Sequence, residues 1–189
     1  MKFLTKIAAV AALLGFAGAA QALTITPTTA GIIPADLGSA NCESGCVYDA
    51  FGLTNDGSLE LLYKANVEGP EEGSFAGSYE TTFSNTAEDP SDALIEYISG
   101  ASINCGVCYL AIKDGNQNPS YYFFDLTAAG WDGVEDIILS GFWPDQGSIS
   151  HISIWGSSGD TSVPEPGTLA LLGLGLAGMG FAKRRRRKA

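Results

Sequence analysis

The chain predicts an all-β passenger, an antiparallel β-sandwich of jelly-roll-like type, flanked by an N-terminal signal helix and a C-terminal short apolar helix. Three observations carry this reading. Eight short segments rich in Tyr, Phe, Ile and Thr are separated by clusters of Gly, Asn, Asp, Ser and Pro. Between the two ends, no segment sustains a helical period. Both ends carry an uninterrupted apolar run bordered by cations.

The elements follow in chain order. Lys2 and Lys6 precede an uncharged stretch from Ile7 to Ala19, and Ala20-Gln21-Ala22 supplies the small-x-small pattern that signal peptidase accepts. Residues 1–22 therefore read as a secretory signal, and the run is too short for a comfortable membrane span. Residues 23–155 form the passenger. Its candidate strands are Cys46–Leu53, Ser58–Ala65, Ser78–Ser84, Ala93–Ile98, Tyr109–Lys113, Ser120–Thr127, Glu135–Ser140 and Ile149–Trp155. Asp114-Gly115-Asn116 is a hairpin signal between two of them. In Tyr121 to Leu126 both alternate faces are largely apolar, which suits a central strand covered on both sides. The Gly- and Ser-rich residues 156–162 read as a flexible linker.

The tail, residues 163–189, has three parts. Residues 163–168, Val-Pro-Glu-Pro-Gly-Thr, are stiff and non-helical because Pro164 and Pro166 restrict the backbone. Residues 169–182 are wholly apolar and would make a helix of about 21 Å, against roughly 30 Å of hydrocarbon. Lys183, Arg184, Arg185, Arg186, Arg187 and Lys188 follow as a basic block that should stay in the cytoplasm. That orientation places the passenger outside, where the leader also sends it.

Charge narrows the functional classes. Of 21 acidic residues, 20 lie between residues 23 and 162, against only Lys64 and Lys113, so this stretch carries a formal charge of −18. Nucleic acid and anionic lipid would be repelled. No phosphate loop or nucleotide fingerprint is present, and no cofactor is implied. Ca²⁺ is the one ion the composition admits: Asn55-Asp56-Gly57 and the run from Glu88 to Asp92 offer oxygen ligands, although neither matches an EF-hand loop and both read equally well as turns.

Cys42, Cys46, Cys105 and Cys108 suggest disulfides in an exported chain, in preference to a four-Cys zinc site or a redox C-x-x-C. Strand parity favours Cys42 with Cys46 and Cys105 with Cys108. On strands the first two would share a face and the second two would not, so two bridges between the same strands are awkward. The entropy of loop closure points the other way. His151, the single histidine, shares no motif with a nucleophile. Glu60, Glu80, Glu96 and Glu135 could form acid pairs for glycoside hydrolysis, but 20 carboxylates make coincidental pairs inevitable. No catalytic residue is assigned. Trp131 and Trp143, next to Gly and Pro turns, could stack on sugar rings or plug the ends of the core.

The order of Pro164, Glu165 and Pro166, a short apolar run and an arginine cluster closely resembles the PEP-CTERM sorting signal. The resemblance implies recognition and removal of the tail by an exosortase, a membrane-embedded cysteine protease-transpeptidase. Pro164, Glu165 and Pro166 would be the recognition motif and Arg184 to Arg187 the cytoplasmic stop. It also implies export, transient residence in the inner membrane, and delivery to the outer surface or an exopolysaccharide matrix. The passenger resembles domains found beside such tails in the segments 112–116, 122–126, 141–144 and 147–152. The combined expectation is a non-enzymatic surface or matrix protein, with an exopolysaccharide-binding module as the alternative and a secreted hydrolase as the least supported reading.

Overall fold

The computed structural model describes residues 22–38, 41, 43–85, 90–114, 117–144 and 148–158, with only the backbone described at Cys105 and Ser158. The expected signal helix, the 163–189 tail with its expected apolar helix, Gly115 and Asn116 of the hairpin signal, Cys42, Glu88 and Asp89 lie outside these residues. Among the described residues no helix is long and apolar enough to cross a membrane.

The passenger is mostly β, arranged as two sheets. One has four strands: β1 (Leu23–Ile25), β8 (Ile137–Leu139), β5 (Asp92–Tyr97) and β4 (Tyr79–Ser84), in that spatial order. The other has five: β2 (Ile33–Ala35), β7 (Tyr121–Asp125), β6 (Cys105–Asp114), β9 (Ile149–Ser158) and β3 (Glu60–Asn66). All pairings are antiparallel except β1 with β8, which is parallel. Seven of the eight expected strand segments are strands.

Alternation along the strands builds the core. Ile95, Ile137 and Leu139 from the four-stranded sheet join Leu110, Ile112, Ile152 and Ile154 from the five-stranded sheet in one buried cluster. These residues are β-branched or leucine, so each fits a pleated surface and contributes roughly 1.5–3 kcal/mol when fully buried. Tyr79 ties β4 to the loops that precede β6 and β8. Its hydroxyl donates to Gly133 O at 2.6 Å and accepts from Ile103 N–H at 2.7 Å.

The opposite face of the five-stranded sheet is also covered. Val47 and Tyr48 of helix α1 (Ser44–Ala50) pack on Tyr109, Ala111, Tyr121, Phe123 and Trp155. This makes Tyr121 to Asp125 the doubly covered strand that its apolar run implies. It also corrects the expected strand Cys46–Leu53. The segment contains Val and Tyr, which suit a strand locally, but coiling it puts Val47 and Tyr48 side by side on the sheet. Tyr48 then accepts from Leu59 N–H at 2.8 Å and donates to Asp56 at 3.0 Å. A second short helix, α2 (Leu126–Ala129), ends the expected 120–127 strand. Its N-cap is Asp125, whose carboxylate accepts from Ala128 N–H at 2.8 Å.

Two further differences concern strand ends. The expected 156–162 linker begins as strand, because β9 runs on to Ser158 beside Cys105. The three-residue strands β1 and β2 carry too little pattern to register as strands in the sequence.

Candidate functional site

The sorting motif and the basic block lie outside the described residues, so the geometry in hand concerns the passenger. Three of its chemically distinctive groups meet on the helix-covered face of the five-stranded sheet. Cross-strand register places Asn66, His151, Lys113 and Tyr121 in one row and Lys64, Ser153, Ala111 and Phe123 in the next. The passenger's two lysines and its single histidine therefore occupy adjacent positions on three neighbouring strands.

Strand alternation produces this cluster. Ile112, Ile152 and Ala65 point into the core between the sheets, so Lys113, His151, Lys64 and Asn66 emerge on the other side. Lys113 and His151 are nonetheless 5% and 6% exposed. The Lys113 ammonium lies 6.0 Å from the centre of the Tyr121 ring, within cation–π range. Lys64 is half-buried and 3.8 Å from Glu72, the one ion pair among the described residues. Asn66 donates to the same carboxylate at 3.0 Å. Burial, and then the charges of Lys64 and Lys113, hold the His151 imidazole neutral and lower its pKa from 6.5 to about 4.

The three tryptophans do not form an exposed platform. Trp131, Trp143 and Trp155 are 4%, 9% and 6% exposed, and each indole N–H is bonded: to Glu135 O at 2.6 Å, Pro119 O at 2.8 Å and Ser153 Oγ at 2.9 Å. Trp143 adopts a left-handed backbone (φ 49°) and packs on Tyr122 and Phe142. The sugar-stacking role considered for Trp131 and Trp143 is thus corrected: aromatic residues beside turns here close the ends of the core.

The acids are also distributed. Glu80 and Glu96 sit directly opposite each other on β4 and β5, facing away from the core. Glu60 begins β3 in the other sheet, and Glu135 precedes β8. In the Asn55–Gly57 turn, hydrogen bonds from the Ser58 hydroxyl, then from Ser58 N–H and the Tyr48 hydroxyl, lower the Asp56 pKa. Its oxygens serve the turn. No group of three or more metal-ligating side chains occurs among the described residues.

Cysteine geometry departs from the expected pairing in one half. Cys46 lies in α1 and is a free thiol, so a Cys42–Cys46 bridge is not formed. The parity argument assumed a strand there. Cys108 is fully buried and disulfide-bonded. Opposite Cys105 and Cys108 stand Ser158 and Gly156, so three steps along β6 match two along β9, which is a bulge. Simple alternation does not carry across a bulge, so the strand-parity argument does not apply to this stretch of backbone.

Sequence reasoning treated Lys64, Lys113 and His151 separately, and missed their convergence. The available signal was their equal parity with respect to the core-facing isoleucines, which required the strand order to become useful.

Comparison with known proteins adds one match. Residues 162–187 match the family model of the PEP-CTERM protein-sorting motif. Neither a curated protein nor a solved structure matches the chain. The C-terminal tail is thus a PEP-CTERM sorting motif, the element that an exosortase recognises in proteins exported toward the cell surface.

Proposed function

We propose that this chain is an exported cell-surface or biofilm-matrix protein whose passenger acts by structure and interaction rather than catalysis. The observation that carries the reading is the sorting motif at residues 162–187, joined almost directly to the last strand of the passenger. Signal peptidase cleaves after Ala22, the tail holds the chain briefly in the inner membrane, and exosortase cuts near Pro164-Glu165-Pro166. The arginine cluster sets the depth at which that motif waits, because translocating six adjacent cations is strongly disfavoured. The short apolar run presents the motif at the membrane surface but makes a poor lasting anchor.

The two sheets are read as a jelly-roll-like sandwich displayed outside the cell. Its distinctive side chains serve packing: all three indoles are buried and bonded, and Asp56 and Asp125 cap a turn and a helix. An exopolysaccharide-binding role remains the second reading, and it would have to use a surface other than Trp131 and Trp143.

Intact-mass measurement of protein recovered from the cell exterior tests the processing step. Termini near Glu165 that vanish when the exosortase is deleted are expected. Mature chains that still end in Arg187-Lys188-Ala189 would refute it.

A further inference from the structure

We propose that the row formed by Asn66, His151 and Lys113, together with Lys64 beside it, is a binding site for a carboxylate group of an external ligand. The inference deepens the interaction role above, but its test reads the passenger and is blind to tail processing, so the two fail separately.

The argument begins with the placement of charge. A stretch with 20 acids and two lysines could scatter its cations anywhere, yet both lie on this face beside the only histidine. Lys113 is the more telling. Taking an ammonium out of water costs several kcal/mol unless a counter-charge or hydrogen-bond acceptors replace the lost hydration. No described carboxylate stands within 4.0 Å of Lys113, and no buried side-chain nitrogen among the described residues lacks a hydrogen-bond partner, so the largely covered ammonium keeps a narrow contact with water. The face of the Tyr121 ring compensates only in part, since such contacts contribute about 0.5–2 kcal/mol. A carboxylate arriving from outside would meet the ammonium at that remaining opening and replace water there with a counter-charge.

The neighbouring groups suit that ligand. Lys64 is only 22% exposed at its side chain, and its 3.8 Å contact with Glu72 is long enough to leave a second acceptor favourable. Ser153, in the adjacent row, accepts from the Trp155 indole and keeps its own hydroxyl proton to donate. His151 can donate from one ring nitrogen while neutral, and an anion beside it would favour its charged form as well. The approach is past the Asn66, His151 and Lys113 row, because α1 covers the rows nearer Trp155 and Tyr109 and the Glu72 segment pairs with β3 at Lys64. The strong overall negative charge then acts as a filter: long-range repulsion discourages nonspecific anions, and only a group reaching the lysines is compensated.

The single histidine makes a clean reporter. The full chain, in an uncharged detergent, would be titrated with sodium acetate, sodium glucuronate, glucose and sodium chloride, at equal ionic strength for the three salts. The His151 ring proton resonances are followed by NMR. A saturable shift with acetate or glucuronate, absent with chloride and glucose, is expected. Equal response to both carboxylates would identify the carboxylate alone as the ligand group, and response to glucuronate only would identify a sugar-borne acid. Lys113→Met, which keeps the apolar stem, should weaken binding about tenfold or more, and Lys64→Met should weaken it to a lesser degree. If Lys113→Met does not fold, Lys64→Met and Asn66→Ala carry the test. Shifts that never saturate, shifts matched by chloride, or unchanged affinity in the folded variants would overturn the proposal.

Discussion

Acidification from pH 7.5 to pH 4 should destabilise the passenger through His151, by an amount that the structure sets. The imidazole is buried between Lys64 and Lys113 and has its pKa lowered from 6.5 to about 4. Above pH 6.5 it is neutral in both folded and unfolded chains, and its contribution is fully present. Between 6.5 and about 4 the unfolded chain binds a proton that the folded one refuses, so stability falls with pH. Below about 4 both states are protonated and the loss levels off. At ~1.36 kcal/mol per pKa unit the full loss is roughly 3 kcal/mol, a large share of a typical domain's 5–15 kcal/mol. Carboxylates as a class ionise over the lower part of the same range and add their own pH dependence. Comparison with His151→Gln removes their contribution. Urea denaturation at half-unit pH steps should give two curves that converge as the pH falls, with the variant gaining relative to the parent. Curves that remain parallel from pH 7 to 4 would refute the reasoning.

The remaining predictions concern packing. Trp131→Ala should cost about 3–5 kcal/mol in chemical denaturation, because the ring is buried and bonded to Glu135 O; an unchanged midpoint would mean that the indole is a surface group after all. Tyr79→Phe should cost about 1–3 kcal/mol, since it strips Ile103 N–H and Gly133 O of a buried partner, with the same assay as the check. Gly133→Ala should abolish soluble expression: φ is +82°, and the added methyl would collide with Ile103 O. Cys46→Ser should change stability by less than about 1 kcal/mol, whereas loss of a disulfide typically costs 2–5 kcal/mol.

Much of the strand content was legible because it is periodic. Ile149 to Trp155 alternates cleanly, and β9 is there. Tyr121 to Phe124 is apolar on both faces, and β7 is covered on both. Ser44 to Ala50 was not legible as a helix, because its coil depends on a distant sheet surface that Val47 and Tyr48 cover, and its N-cap residue Glu43 makes no side-chain cap bond. The tryptophans near turns were ambiguous, since a turn sits equally well over a core end or over solvent. The Lys64, Lys113 and His151 grouping depends on β6, β9 and β3 being neighbours, and strand order is a property of the whole chain rather than of any local window. The bulge between Cys105 and Cys108 was illegible for a related reason: it is a feature of two strands together.

The position of β9 has a mechanical consequence. It is the last strand, ends at Ser158 just before the tail, and lies between β6 and β3 with a ladder on each side. Any pull exerted through the tail enters the passenger along this strand. If the pull runs parallel to the strand axis, two rows of backbone hydrogen bonds bear it at once in shear, and yielding requires many of them to break together rather than in succession. A protein tethered at its C-terminal end while its other surfaces are gripped by neighbours is therefore loaded through its most strongly supported strand.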